Sequence, residues 1–265
     1  MARRFKVILD PGHGGRDPGA VGPTGLKEKD VTLAVSHRVA FYLSPVMDAV
    51  LTRSDDRDFS PADKPFSSDI DIGHRARQVV NKSGADVCVS THCNSLSTKP
   101  EAHGVETFRH VNKPLDDRLA RAIQKRLAAA TGRADRGVKT ANFGMIRVPT
   151  MPAALVELPF ISNPAEEELL RGPGFQDRCA RAIAEGVAEY LGEKLPSTEE
   201  MGNMPFMDVN GHWGKSDIEQ AEEWGLVAVP ADKRFRPNDG ITRAEVIVLV
   251  VRTVRFIAKL FGRQI

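Results

Sequence analysis

Four short stretches of the chain each carry a side chain suited to binding a metal or moving a proton: VILDPGHGG (7–15), GLKEKD (25–30), VSTHCN (89–94) and ALVELPF (154–160). Three of them read as a buried strand running into a polar turn, with His13, His92 and Glu157 at or near the strand's C-terminal end. The fourth puts Glu28 in a glycine-bearing loop just ahead of a helix. Two histidines, one carboxylate ligand and one further carboxylate make up the ligand set and base of a catalytic zinc site, which keeps one coordination position for water. Taken singly, a histidine after a strand is more often a hydrogen-bonded structural group, and a loop glutamate is usually just solvated. Glu157 is less bland, because it interrupts the apolar run AALVELPF, where a carboxylate must be paired, hydrogen-bonded or bound to a metal. Gly12, Gly14 and Gly15 beside His13 allow close backbone approach around the imidazole. The residues alone imply metal-assisted hydrolysis of an amide.

The elements that must position these groups follow from periodicity. Strand-like runs cover Phe5–Leu9, Ala49–Thr52, Asp86–Ser90, Val105–Phe108, Met145–Val148 and Ala154–Leu158. Helical stripes lie between them: Val31/Val35/Val39/Leu43, opened by Asp30 as N-cap, Leu115/Leu119/Ile123/Leu127 and Cys179/Ile183/Val187/Leu191, with a shorter helix over 72–82. The alternation predicts an α/β fold: a mostly parallel twisted sheet flanked by helices, with ligands bound outside the carboxyl ends of the strands. The polar stretch 55–71 reads as a loop long enough to border a substrate cleft. Domain 1–193 is followed by a breaker-rich linker, 194–205, and a small, mainly helical C-terminal domain, 206–265.

Composition narrows the class. Apolar residues make up 41% and charged residues 27% of 265, as in a globular protein, and the net charge of +2 is too balanced for a nucleic-acid binder. Cys88, Cys93 and Cys179 lack CxxC spacing and an even count, so no disulfide framework is expected. Cys88 and Cys179 read as core thiols, and Cys93, next to His92 on an extended segment, faces away from the site. No apolar run of signal-peptide length opens the chain, so the expectation is synthesis in a host cytoplasm without Sec export, and action on the cell wall after release.

The stretches ILDPGHGGRDPGAVG, GLKEKDVTLAV, LTRSDD, ADVCVSTHCNS, HGVETF and MPAALVELPFISNP, running in order from residue 5 to about 192, resemble the zinc-dependent N-acetylmuramoyl-L-alanine amidases of the amidase-3 family. The resemblance implies that His13, Glu28 and His92 are zinc ligands and Glu157 the catalytic glutamate. It implies as substrate the peptidoglycan amide between N-acetylmuramic acid and L-alanine. Cys93 and Pro159 depart from the family pattern without touching a ligand. Asn94 and Glu106 are candidate substrate contacts; Arg53, Arg75 and Arg147 are read as structural charge pairs. His37 and His74 are read as surface or supporting groups, and His103 as solvent-facing.

The stretch FMDVNGHWGKSDIEQAEEWGLV…FRPNDGITRAEVIVLVVR resembles one S-layer homology repeat, a unit whose family binds anionic secondary wall polymers. The resemblance makes Arg243 the expected anion contact and Trp213 its packing or sugar-stacking partner. Thr242 and Glu245 form a capping box for the second helix. The segment GLVAVPADKRF lacks the usual glycine-rich turn, and only one repeat is present. So small a unit buries little core alone, and self-association through Val246–Val251 into a homo-oligomer is expected. Arg252, Arg255, Lys259 and Arg263 beside Phe256, Ile257, Leu260 and Phe261 also have the pattern of a membrane-surface helix, a less favoured role. Together these expectations describe a peptidoglycan amidase with a wall-binding module, set in a phage lysis enzyme (endolysin). The alternatives are a mother-cell autolysin, a wall-binding protein with a vestigial site, or a zinc peptidase cutting within the stem peptide.

Overall fold

The structure is a computed structural model that describes residues 3–202, 206, 209, 214–228, 235 and 240–260. It divides into two compact units, Met1–Leu195 and Pro196–Ile265.

The larger unit is built on β1 (Lys6–Pro11), β2 (Asp48–Leu51), β3 (Val87–Cys93), β4 (Val105–Arg109), β5 (Asp135–Thr140) and β6 (Ala153–Leu158). They form one sheet in the order β2-β1-β3-β6-β4-β5, parallel throughout except where β4 runs antiparallel to β6. Strands β1, β3 and β6 are central and covered on both faces, which is why their sequences are continuous apolar runs: Val7, Ile8, Val87, Cys88, Val89, Ala154 and Val156 are wholly buried. Each such Val or Ile contributes about 1.5–3 kcal/mol of transfer free energy.

Helices α1 (Glu28–Leu43), α3 (Pro114–Thr131) and α6 (Pro173–Leu191) pack together and against β1, β3, β4 and β6. A second cluster joins Ile8, Cys88 and Leu155 of the sheet to Ala76, Val80, Met145 and Ile146. The last four belong to α4 (Gly144–Arg147) and to a π-helical segment (Arg75–Val80) that continues α2 (Ser68–His74). α5 (Pro164–Arg171) completes the unit; its Asn163 cap accepts from Ala165 and Glu166 N–H.

Several expectations are corrected. Met145–Val148 is helical: Met145 and Ile146 are buried while Arg147 is exposed, and so short an apolar stretch fits a helical turn as well as a strand. The cap of α1 is Lys27, not Asp30, which lies in the first turn where its charge suits the helix dipole. Leu115 is 54% exposed, whereas Leu119, Ile123 and Leu127 are buried as the stripe predicts.

The smaller unit contains α7 (Thr198–Gly202), α8 (Lys215–Glu223) and α9 (Arg243–Leu260). Trp224 stacks on Phe256 at 5.3 Å between ring centroids, and Arg252 donates to the Leu226 carbonyl. The capping box forms: Glu245 Oε2 accepts from Thr242 N–H, and Thr242 Oγ1 from Glu245 N–H. No helix among the described residues is long and apolar enough to cross a membrane.

Candidate metal centre and acid–base site

His13, Glu28 and His92 come together, with one ligand atom from each lying within 4.8 Å of the others. The chain reverses course about β1: β2 pairs on one side and β3 on the other. The crevice beyond the carboxyl ends at such a switch point is where α/β sheets bind ligands. His13 follows β1, and His92 lies within the last turn of side chains of β3. Only His13 sits in a loop; Glu28 is the first residue of α1 rather than part of the preceding loop.

His13 is the one non-glycine residue with positive φ among the described residues, at 63°. That conformation costs about 1–2 kcal/mol and persists because the loop is tied down. Gly12 N–H donates to Thr91 O at 2.9 Å, and Gly14 and Asp17 exchange backbone hydrogen bonds at 3.0 Å. The Asp17 carboxylate lies 2.7 Å from His13 Nδ1 and so directs Nε2 toward Glu28 Oε1, 3.2 Å away. His92 Nδ1 reaches the same oxygen at 3.0 Å, and the two rings meet edge to face at 4.8 Å. Gly19 backs this cluster: a Cβ there would come within 2.6 Å of His13 Cδ2 and 2.7 Å of Glu28 Oε2.

Glu28 is 4% exposed, and its oxygens accept from Ala20 N–H at 2.8 Å and Cys93 N–H at 2.9 Å. Burial pushes its carboxyl up, but hydrogen bonds and charge from His13 and His92 outweigh that and hold it well below the usual carboxylate range. The His13 imidazole is pushed down by burial and up, on balance, by Glu28 and Asp17. Cys93 is buried, and only its backbone serves the site.

Glu157 stands beside His92 in register across β6 and β3. It is half-buried, and its Oε2 has no hydrogen-bond partner among the described residues. Burial, then the charges of Glu28 and Glu106, pushes its carboxyl well above the ordinary value. A carboxyl so placed is suited to exchanging a proton with a reacting group. Asn94 is 8% exposed with its Nδ2 likewise unpartnered. Glu106, expected as a substrate contact, is ion-paired: its Oε2 accepts from Arg136 Nε at 2.8 Å and also from Lys139 Nζ.

A buried network fixes the platform beneath. Asp10, wholly buried, pairs with Arg75 and accepts from Ser90 at 2.6 Å and Thr52 at 2.8 Å. Arg75 also pairs with Asp71. Arg53 is bound not to an acid but to the carbonyls of Pro11, Gly12 and Lys29, tying the His13 loop to the start of α1. Arg147 is exposed and forms no ion pair among the described residues. The stretch before α2 packs on the His13 loop: Asp56 accepts from Gly15 N–H and Lys29, and Asp58 from Arg16. His37 meets Ser54 O, His74 stacks on Phe59, and exposed His103 meets Glu101 O. Arg243 is exposed at the start of α9, and Trp213 lies outside the described residues.

Sequence reasoning missed Asp17, Arg136 and Lys139 as functional groups. Asp17 had a readable signal, an acid four residues after a candidate ligand; Arg136 and Lys139 had none, since β5 itself is polar.

The fold is a mostly parallel α/β sheet, and the gathered side chains are a group that could hold a metal ion. Residues 7–189 match the N-acetylmuramoyl-L-alanine amidase family, and the chain belongs to it; residues 205–247 match the S-layer homology domain. The germination-specific N-acetylmuramoyl-L-alanine amidase of Bacillus subtilis is 36% identical over 193 residues, 71% of this chain and 80% of that protein. The endolysin of Bacillus phage SPP1 is 36% identical over 202 residues, 72% of this chain and 68% of that one. Among solved structures, the catalytic domain of the amidase CwlV from Bacillus (Paenibacillus) polymyxa superposes with a TM-score of 0.64 at 37% identity, covering 72% of this chain and 99% of that one.

Proposed function

We propose that the chain is a zinc-dependent N-acetylmuramoyl-L-alanine amidase in which His13, Glu28 and His92 hold the metal and Glu157 is the general base. The observation that carries this is the convergence of those three ligand atoms with the unpartnered Glu157 carboxyl in register beside His92. Two imidazole nitrogens and a carboxylate oxygen are donors that zinc takes in catalytic sites, and the residues present fit it. Bound there, zinc supplies polarisation of the scissile carbonyl and lowers the pKa of water from 15.7 toward ~7.

The chain's own groups do the rest. Asp17 holds the His13 ring so that Nε2 faces inward. Backbone N–H groups of Ala20 and Cys93 fix the Glu28 carboxylate. Glu157 takes the proton of the attacking water and delivers it to the departing amino group of L-alanine, leaving the lactyl carboxylate on the sugar. Asn94 Nδ2 offers a buried donor to the substrate.

The C-terminal unit targets the enzyme by binding an anionic secondary wall polymer, with Arg243 as the anion contact and Trp213 stacking on sugar. The α9 residues Val246, Ile247, Val250, Val251, Val254 and Ile257 are 40–62% exposed and support self-association of the full chain. Sedimentation at micromolar concentration checks this, and a monomer contradicts it. The likeness to the phage SPP1 endolysin supports a lysis enzyme that is made in the host cytoplasm and acts on the wall once released; the equal identity to a germination-specific amidase supports a bacterial autolysin as the second setting.

Digestion of purified peptidoglycan followed by end-group analysis tests the activity. Intact stem peptides beginning with L-alanine are expected. New ends within the stem would mean a peptidase, and no release would mean a wall-binding protein.

A further inference from the structure

Strand β5 brings two cations to the edge of the acid–base site. Glu106 lies directly opposite Glu157 in the antiparallel β4–β6 register, so both carboxyls stand on one face of the sheet. Glu106 is 5% exposed, yet its Oε2 receives both Arg136 and Lys139.

In an unbroken strand, residues 136 and 139 would point to opposite faces. Here Val105 pairs with Asp135 and Thr107 with Val138, so three steps of β5 oppose two of β4. Gly137, at φ 79°, takes up the extra residue. Bulges in parallel pairs are rare, and those next to active sites re-aim side chains. This one puts both cations on the face that carries Glu157.

One carboxylate against two cations leaves an excess positive charge. The Arg136 guanidinium is held twice, by Glu106 and by stacking over Phe160 at 4.9 Å. Lys139 is 40% exposed at its side chain and has donors to spare. His92, Glu157, Glu106 and the cations follow one another across β3, β6, β4 and β5. With strands about 4.8 Å apart, the β5 backbone lies two spacings, roughly 10 Å, from that of β6. An extended peptide spans that in about three residues at ~3.4 Å each.

We propose that Lys139, supported by Arg136, is the recognition site for a free carboxylate on the stem peptide within about three residues of the scissile amide. Glu106 is then the positioning residue that holds the two cations, and the peptide side of the substrate runs over β6, β4 and β5. This rests on the amidase reading, from which the test can be separated.

The probe is a short peptide that begins with L-alanine and bears a side-chain or α-carboxylate in its second or third residue, made as the free acid and as the amide. Its equilibrium binding to the zinc-loaded full chain needs no turnover. The matching muramoyl peptides give KM. The free acid is expected to bind about tenfold tighter, the size of one partly exposed charge-assisted hydrogen bond. Lys139→Met should bring that ratio within about twofold of one, and Lys139→Arg should restore most of it. A ratio near one in the parent protein overturns the proposal, as does a ratio that survives Lys139→Met in protein of unchanged circular dichroism and zinc content. Binding that discriminates without any hydrolysis supports the carboxylate site and counts against the amidase reading alone.

Discussion

Asp17→Asn isolates what positions His13, the proposed metal ligand, without removing it. The Asp17 carboxylate lies 2.7 Å from His13 Nδ1, while its other oxygen accepts from Gly19 N–H at 3.0 Å. An amide of the same shape retains a hydrogen-bonding group but loses the negative charge that makes the imidazole a better donor to a cation. Carboxylates in this relation to a ligating histidine contribute 10–100-fold in metal affinity. His13 has a φ of 63° whichever residue stands at 17, so the middle of that range applies. The expected loss is about 30-fold in zinc affinity, or ~2 kcal/mol. Competition against a chromophoric chelator measures it directly. The peptidoglycan rate at saturating zinc should fall far less than the affinity does. Affinity within about twofold of the parent protein would refute the argument, because His13 would then be held by its backbone alone.

The Asp10 platform predicts a pH dependence of stability. Burial raises the Asp10 carboxyl, but Arg75, Ser90 and Thr52 outweigh it and hold it below its ordinary 3.8. A group depressed on folding stabilises above its unfolded pKa, and that stability is lost as pH falls through the folded value. Asp10→Asn should therefore cost about 3 kcal/mol in urea unfolding at pH 7, and the gap from the parent should narrow markedly by pH 3; an equal gap at both pH values would contradict the pairing. Burial pushes the thiols of Cys88, Cys93 and Cys179 well up. A chromogenic disulfide should thus react with no thiol of the native protein within minutes at pH 8 and with three after denaturation. Rapid labelling of one native thiol would show that its strand opens.

How much of this was legible depended on which residues face the interior. β1, β3 and β6 are buried on both faces, so VILD, VCVS and AALV could be read directly, and with them the level of His13, His92 and Glu157. β5 reads DRGVKT because it is an edge strand whose residues are all exposed or half-buried, with a glycine bulge that breaks the period. Nothing local announces that two of its cations meet Glu106. Glu28 was readable as a candidate ligand but not as a helix-initiating residue, since its carboxylate is taken up by His13, His92 and Cys93 N–H. The role of Arg53 was hidden for a similar reason. Its partners are backbone carbonyls, which carry no sequence signature.

The division of labour between three ligands and one base is tested most directly by the turnover of zinc-loaded Glu157→Gln on purified peptidoglycan, with bound zinc counted in the same sample. The amide keeps the shape of the side chain and cannot accept the proton. The account predicts one zinc per catalytic domain retained and a rate reduced by about 10²–10⁴. A rate within about tenfold of the parent, or loss of the metal, would contradict it: the first would take the base away from Glu157, and the second would move Glu157 among the ligands.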